Sequence, residues 1–122
     1  MKPGKIYMAR GDKQMKLRRL DKTTVVIEHT DDPPESFCIP SVDYLFRSVA
    51  EVYKEKTLGV VMTGIGKDGT EGLRLLKEQG GVTIAQDEAS SLVYGMPKSA
   101  IEAKVVDHVV LWTVLSQLFT QV

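Results

Sequence analysis

The chain is poor in the side chains that most often carry chemistry by themselves. Of its 122 residues one is a cysteine, Cys38, and two are histidines, His29 and His108. A single cysteine excludes an internal disulfide and fits a reducing cytoplasm. No set of His, Cys and carboxylates has metal-ligand spacing, so no metal and no cofactor is assigned. Charge of one sign is lacking too, since 16 basic residues are interspersed with 16 acidic ones. That leaves no broad positive surface for a phosphate backbone and excludes nucleic acid as the expected partner. No apolar run is long enough to span a bilayer, and Met1-Lys-Pro-Gly-Lys-Ile-Tyr7 lacks the apolar core of a signal peptide, so a cytoplasmic location without membrane insertion is expected. The length suits one packed domain, with no internal repeat or linker.

What the chain does concentrate is glycine, at one place. In Leu58-Gly-Val-Val-Met-Thr-Gly-Ile-Gly-Lys-Asp-Gly-Thr-Glu-Gly72 an apolar run of strand length breaks into glycines and then into helix-like sequence. The pattern predicts a strand, a tight turn and a helix start. In an open α/β sheet such a turn lies at the carboxyl end of a strand, where ligands bind. It carries one carboxylate, Asp68. The amides of the incoming helix favour negative charge there, which suits Asp68 to pair with a cation or an imidazole.

The remaining elements follow from periodicity and breakers. Ile6 to Ala9 reads as a short strand ended by Arg10-Gly11-Asp12. Met15, Leu17 and Leu20 meet Thr23 to Ile27 across Asp21-Lys22 as a peripheral antiparallel hairpin. Asp31-Asp-Pro-Pro-Glu-Ser36 is a break. Ser41 is placed to cap a helix whose Val42, Leu45, Phe46, Val49, Ala50 and Tyr53 recur at helical spacing. Leu58 to Met62 reads as a central parallel strand covered by helices on each side. A helix from about Gly69 to Gln79, packed through Leu73, Leu75 and Leu76, stops at Gly80-Gly81. Val82 to Ala85 is a strand, Pro97 opens a helix reaching Ala103, Val105 to Leu111 is a final strand, and Trp112 to Phe119 a terminal helix. Strands alternating with helices predict an α/β, doubly wound, mainly parallel sheet with a β-hairpin.

Three chemistries fit the glycine turn. Gly64-x-Gly66-x-x-Gly69 between strand and helix, with Asp87 and Glu88 after the next strand, has the order of a dinucleotide fingerprint, although the Asp68 carboxylate would repel a pyrophosphate. Asp68 could instead orient the histidine of a Ser-His-Asp hydrolase. Neither His29 nor His108 is placed for that, and Ser90-Ser91 reads better as a turn or helix cap than as a nucleophile. The bland reading is a tight turn in which Asp68 caps the helix it precedes. Cys38, with nothing nearby to lower its pKa, reads as a small buried hydrophobe.

Several segments in register add a further signal. Pro3-Gly-Lys-Ile-Tyr-Met-Ala9, Pro40-Ser-Val-Asp-Tyr-Leu-Phe46, Thr63-Gly-Ile-Gly-Lys-Asp-Gly69, Ala85-Gln-Asp-Glu-Ala-Ser90 and Gly95-Met-Pro97 together resemble the catalytic domain of the chemotaxis protein-glutamate methylesterases, the CheB family. The resemblance covers nearly the whole chain. It implies hydrolysis of glutamate methyl esters, with glutamine deamidation in many members, on the cytoplasmic region of methylated chemoreceptors, in a protein that also carries a receiver domain. It implies that Asp68 is the triad acid and that the Ile65 amide helps form the oxyanion hole. Gly64 and Gly66 would admit the substrate closely, with Met96 lining the cleft.

The same resemblance makes residues 1–122 the carboxyl-terminal part of that domain, with its first strands, its serine and its histidine absent. The isolated chain is then expected to be inactive and to self-associate through the uncovered strand edge. Arg10, Gln14, Cys38 and Ile39 depart from the family's usual residues, which reads as divergence near the cleft. The alternative to an enzyme is a binding module, either a dinucleotide site at Gly64 to Gly69 or a chemoreceptor adaptor.

Overall fold

The computed structural model describes residues 1–120. Its first regular unit is the hairpin, β1 (Gln14–Arg19) and β2 (Val25–Thr30), antiparallel with Leu17 opposite Ile27 and Arg19 opposite Val25. Asp21 closes the connection by accepting the Thr23 amide at 2.8 Å and the Thr23 hydroxyl at 3.0 Å. Met15, Leu17 and Val25 are buried, and α1 (Val42–Tyr53) lies against the hairpin. The Leu17 amide donates to Ser48 Oγ at 2.9 Å and the Arg19 guanidinium to the Val52 carbonyl at 2.9 Å. As expected, Ser41 caps α1, its hydroxyl oxygen accepting the Tyr44 amide at 3.3 Å.

Beyond a 3₁₀ turn at Lys54–Lys56 the chain runs β3 (Leu58–Val61), α2 (Thr70–Glu78), β4 (Val82–Gln86), α3 (Gly95–Glu102), β5 (His108–Val110) and α4 (Trp112–Thr120). The three strands form a parallel sheet in the order β3-β4-β5, with Val61 beside Ala85 and Ala85 beside Val109. Val61, Ala85, Leu73, Leu76, Ala50, Ala100 and Val105 make one buried cluster, so the α1 and α2 stripes meet on one face of the sheet. The approach is close: a Cβ on Gly59 would fall 2.5 Å from Leu76 Cδ1. The helix stop at Gly80-Gly81 is a Schellman turn, the Gly80 amide donating to the Lys77 carbonyl and the Gly81 amide to that of Leu76, with Gly80 at φ 89°. No helix is long and apolar enough to cross a membrane among the described residues.

Four expectations are corrected. Ile6 to Ala9 is irregular, with Ile6, Tyr7 and Met8 exposed and Ala9 half-buried, because no strand among the described residues offers it a ladder. The final strand shrinks to His108–Val110. Its expected start is used to finish α3: Lys104 takes φ 60°, its amide goes to the Ile101 carbonyl, and the Val105 amide goes to that of Ala100. Pro97 stands third in α3, still within the turn whose amides lack intrahelical acceptors. β3, which among the described residues has the uncovered edge expected of it, is not covered by helices on each side: Leu58 is exposed and Val60 half-buried, so one face only is covered well.

Candidate active site

The site is built where β3 ends. Gly66 and Gly69 carry the chain through left-handed backbone at φ 92° and 101°, which reverses it sharply into α2. Side bonds lock this turn to the neighbouring loop. The Thr63 amide donates to Gln86 Oε1 at 2.9 Å, the Gly64 amide to the Val93 carbonyl at 2.9 Å, and the Met96 amide to the Gly64 carbonyl at 2.9 Å. A Cβ on Gly95 would lie 2.9 Å from the Gly64 carbonyl oxygen and 3.0 Å from the Gly66 nitrogen, so the two segments touch backbone to backbone.

Ile65 sits in the turn and is 84% exposed. No acceptor among the described residues takes its N–H. An open groove of about 310 Å³ at the carboxyl ends of β3 and β4 is lined by Met62, Thr63, Gln86, Ser90, Leu92 and Trp112. Leu92 and Trp112 were not singled out from the sequence. Met96 is half-buried, and its sulfur would stand 2.5 Å from a Cβ on Gly64.

Asp68, three residues further on, is buried. Its Oδ1 accepts the Ser41 hydroxyl at 2.8 Å and the Asp43 amide at 3.0 Å, and its Oδ2 accepts the Val42 amide at 2.7 Å. Asp68 therefore caps α1, not the α2 helix that it precedes, which corrects both the bland reading and the source of the amides expected around it. The α2 amides are taken by Asp43, whose Oδ1 accepts those of Gly69 at 2.9 Å and Gly72 at 2.7 Å. Each helix start is thus capped by an aspartate from the other. Burial pushes the Asp43 carboxyl above its ordinary range, the Gly72 amide opposes this, and the nearby Asp68 charge adds to it.

Three donors on a carboxylate with about four acceptor positions leave one open, on Asp68 Oδ2. An orienting acid needs that opening for an imidazole N–H. No imidazole of this chain fills it. His29 in β2 and His108 in β5 are both exposed and neither bonds Asp68. Ser90 and Ser91 have structural roles: the Ser90 hydroxyl donates to Asp87 in its own turn and accepts the Trp112 amide at the start of α4, and that of Ser91 donates to the Asp87 carbonyl.

The dinucleotide reading fails on the same geometry. The Gly69 and Gly72 amides, which a pyrophosphate would need at the start of α2, are occupied by Asp43, and Asp87 is engaged with Ser90. Among the described residues no cluster of three or more His, Cys, Asp or Glu is arranged to hold a metal ion.

The four divergent positions also find places. Gln14 is fully buried, accepting the Ser41 amide at 2.9 Å and donating to the Pro33 carbonyl at 3.0 Å, so it supports the start of α1 from inside. Arg10 is exposed and pairs with Asp12 at 2.7 Å. Ile39 is half-buried in the approach to α1. Cys38 is half-buried rather than buried, because it closes a tight turn by bridging to Glu35, where its thiol donates to the Ser36 carbonyl at 3.4 Å. Burial, then the Asp68 and Asp43 charges, raise its pKa and hold it as a thiol.

Asp43 was missed as a site residue. An acid in the first turn of a helix is ordinary, and only its place in the Pro40-Ser-Val-Asp43 segment set it apart.

Comparison with known proteins bears on all of this. Residues 1–118 match the CheB methylesterase family. A protein-glutamate methylesterase/protein-glutamine glutaminase of Desulfotalea psychrophila is 50% identical over 111 residues, covering 89% of this chain and 30% of that protein. One of the same description from Rhizobium meliloti, of a group 3 operon, is 49% identical over 109 residues, with 89% and 30% covered. The crystal structure of the Thermotoga maritima CheB methylesterase catalytic domain superposes with a TM-score of 0.87 at 36% identity, covering 95% of this chain and 61% of that one. The chain thus spans about 30% of the length of these curated relatives.

Proposed function

Since the chain belongs to the CheB methylesterase family, we propose that it supplies the acid and oxyanion side of a Ser-His-Asp esterase acting on glutamate methyl esters of chemoreceptors, and on glutamine side-chain amides. In this reading residues 1–122 are the carboxyl-terminal part of the catalytic domain. The nucleophilic serine and the histidine come from residues outside them, in a cytoplasmic protein that also carries a receiver domain. The observation that carries the reading is the pairing, on one turn, of a buried aspartate with one acceptor position left and an amide with no acceptor, at Asp68 and Ile65.

The chemistry follows from those two groups. The serine oxygen bonds to the ester carbonyl carbon as its proton passes to the histidine, and Asp68 holds that imidazole in the right tautomer and balances its charge. The carbonyl oxygen, now negative, lies against the Ile65 amide. Collapse breaks the bond to methoxide, which takes the proton and leaves as methanol. Water then attacks the acyl-enzyme by the same route, freeing serine and leaving glutamate. Gly64 and Gly66 let the backbone come close to the substrate, and Met96 contacts it from the adjoining loop.

The test is methanol release by the full-length protein from a peptide bearing a glutamate γ-methyl ester. Stoichiometric methanol and free glutamate are expected; intact ester after prolonged incubation contradicts the reading. A receptor adaptor without chemistry gains nothing from the named relatives, which are hydrolases. Residues 1–122 alone are expected to self-associate through β3, which among the described residues has a ladder neighbour on one side only. A monomer by sedimentation at high concentration contradicts that.

A further inference from the structure

We infer that Ser41 is a positioning residue for the hydrolysis proposed above, fixing the Asp68 carboxylate through its hydroxyl while it caps α1; the inference rests on that reading. Capping alone would need one contact, the Tyr44 amide that Ser41 Oγ accepts at 3.3 Å. The hydroxyl does a second thing, donating its proton to Asp68 Oδ1 at 2.8 Å in a buried setting. Ser41 is held in turn from behind, its own amide bound to Gln14 Oε1 at 2.9 Å and Gln14 tied to the Pro33 carbonyl. With the Val42 and Asp43 amides, this makes a three-point grip, so the carboxylate cannot rotate about its Cβ–Cγ bond without breaking hydrogen bonds on both oxygens. The open position on Oδ2 then points one way. A histidine meeting a carboxylate that swings would be misoriented for part of the time, and turnover would fall without loss of substrate binding.

Glycine retains most N-cap function, so Ser41→Gly removes the hydroxyl while keeping the helix start. The experiment measures kcat and KM for ester hydrolysis by the full-length protein carrying Ser41→Gly, Ser41→Thr, Asp68→Asn and the Ser41→Gly/Asp68→Asn pair, with folding checked by circular dichroism. Loss of a hydrogen bond to a charged group predicts a kcat lower by about 10- to 100-fold for Ser41→Gly with KM unchanged. Ser41→Thr, which keeps the hydroxyl, stays within about threefold and serves should the glycine variant fold poorly. Residues acting as a unit are non-additive, so Ser41→Gly has no further effect on the Asp68→Asn enzyme. A folded Ser41→Gly enzyme with normal kcat, or an equal loss in both backgrounds, overturns the inference, as does a folded Ser41→Thr enzyme as slow as Asp68→Asn. Full activity of Asp68→Asn overturns the role of Asp68 as triad acid and the inference with it, whereas intact ester with the unsubstituted full-length protein overturns the esterase reading, so the failures are distinguishable.

Discussion

Two aspartates follow neighbouring parallel strands, Asp68 after β3 and Asp87 after β4, and they are held in opposite ways. The Asp87 carboxylate bonds within its own loop, accepting the Ser90 amide at 3.1 Å and the Ser90 hydroxyl. The Asp68 carboxylate makes every one of its bonds to residues 25 to 27 positions away. Local bonds shape a loop at small entropic cost. Long-range bonds to a buried carboxylate fix one part of the fold on another, and only the second arrangement gives a side chain the rigidity that an orienting acid requires.

The comparison breaks most visibly in activity. Asp68→Asn in the full-length enzyme is expected to lower turnover by about 10⁴-fold, the scale for a triad aspartate, whereas Asp87→Asn stays within about threefold because its bonds serve a loop. Equal losses in the two would dissolve the contrast. Next in size is Asp43→Ala, which strands the Gly69 and Gly72 amides at the buried start of α2. A loss of about 2–4 kcal/mol in denaturant unfolding is expected, from two buried donors left without acceptors. Gly95→Ala places a methyl against the Gly64 and Gly66 backbone. It should cost about 1–3 kcal/mol by overpacking and slow hydrolysis by moving the Ile65 amide. Unchanged melting and rate would show that the loop yields there.

The smallest expected effect concerns pH. Asp107 has its carboxyl held low, chiefly by the Thr83 amide at 2.9 Å and then by Lys77 at 2.9 Å, while burial holds Asp43 high. A depressed acid adds stability that is present above the ordinary carboxylate pKa and is lost as the pH falls through its own lower value. A raised acid acts in the other direction, and stability declines as the pH climbs from the ordinary carboxylate value through the raised one. Asp107→Asn should therefore weaken the fold at pH 7 by a deficit that shrinks as the pH falls to 3, below the ordinary carboxylate pKa, and urea melts at the two values check it. A deficit as large at pH 3 would show that shape, not charge, is what Asp107 contributes.

The parts of this molecule that were legible in the sequence are those set by neighbours in sequence. The hairpin followed from alternation around Asp21-Lys22, α1 from its stripe and from Ser41, and the end of α2 from Gly80-Gly81. Ile6 to Ala9 looked like a strand because its residues suit one, but a strand needs a ladder partner, and that is a tertiary fact. Val105 looked like a strand start because nothing local reveals that its amide finishes the helix before it.

The site divides along the same line. The glycines, Ile65 and Asp68 were visible as a turn with a carboxylate. The grip of α1 on that carboxylate, the answering bond from Asp43 and the bracing by Gln14 join segments that composition and spacing do not connect. Gln14, taken from the sequence as divergence near the cleft, proves to be a buried support two contacts from Asp68.

The most direct test of a catalytic Asp68 is the rate of methanol release by the full-length protein with Asp68→Asn, set beside Asp87→Asn under saturating ester. The account predicts a fall of about 10⁴-fold in the first and near-normal turnover in the second. Near-normal turnover in both would contradict it.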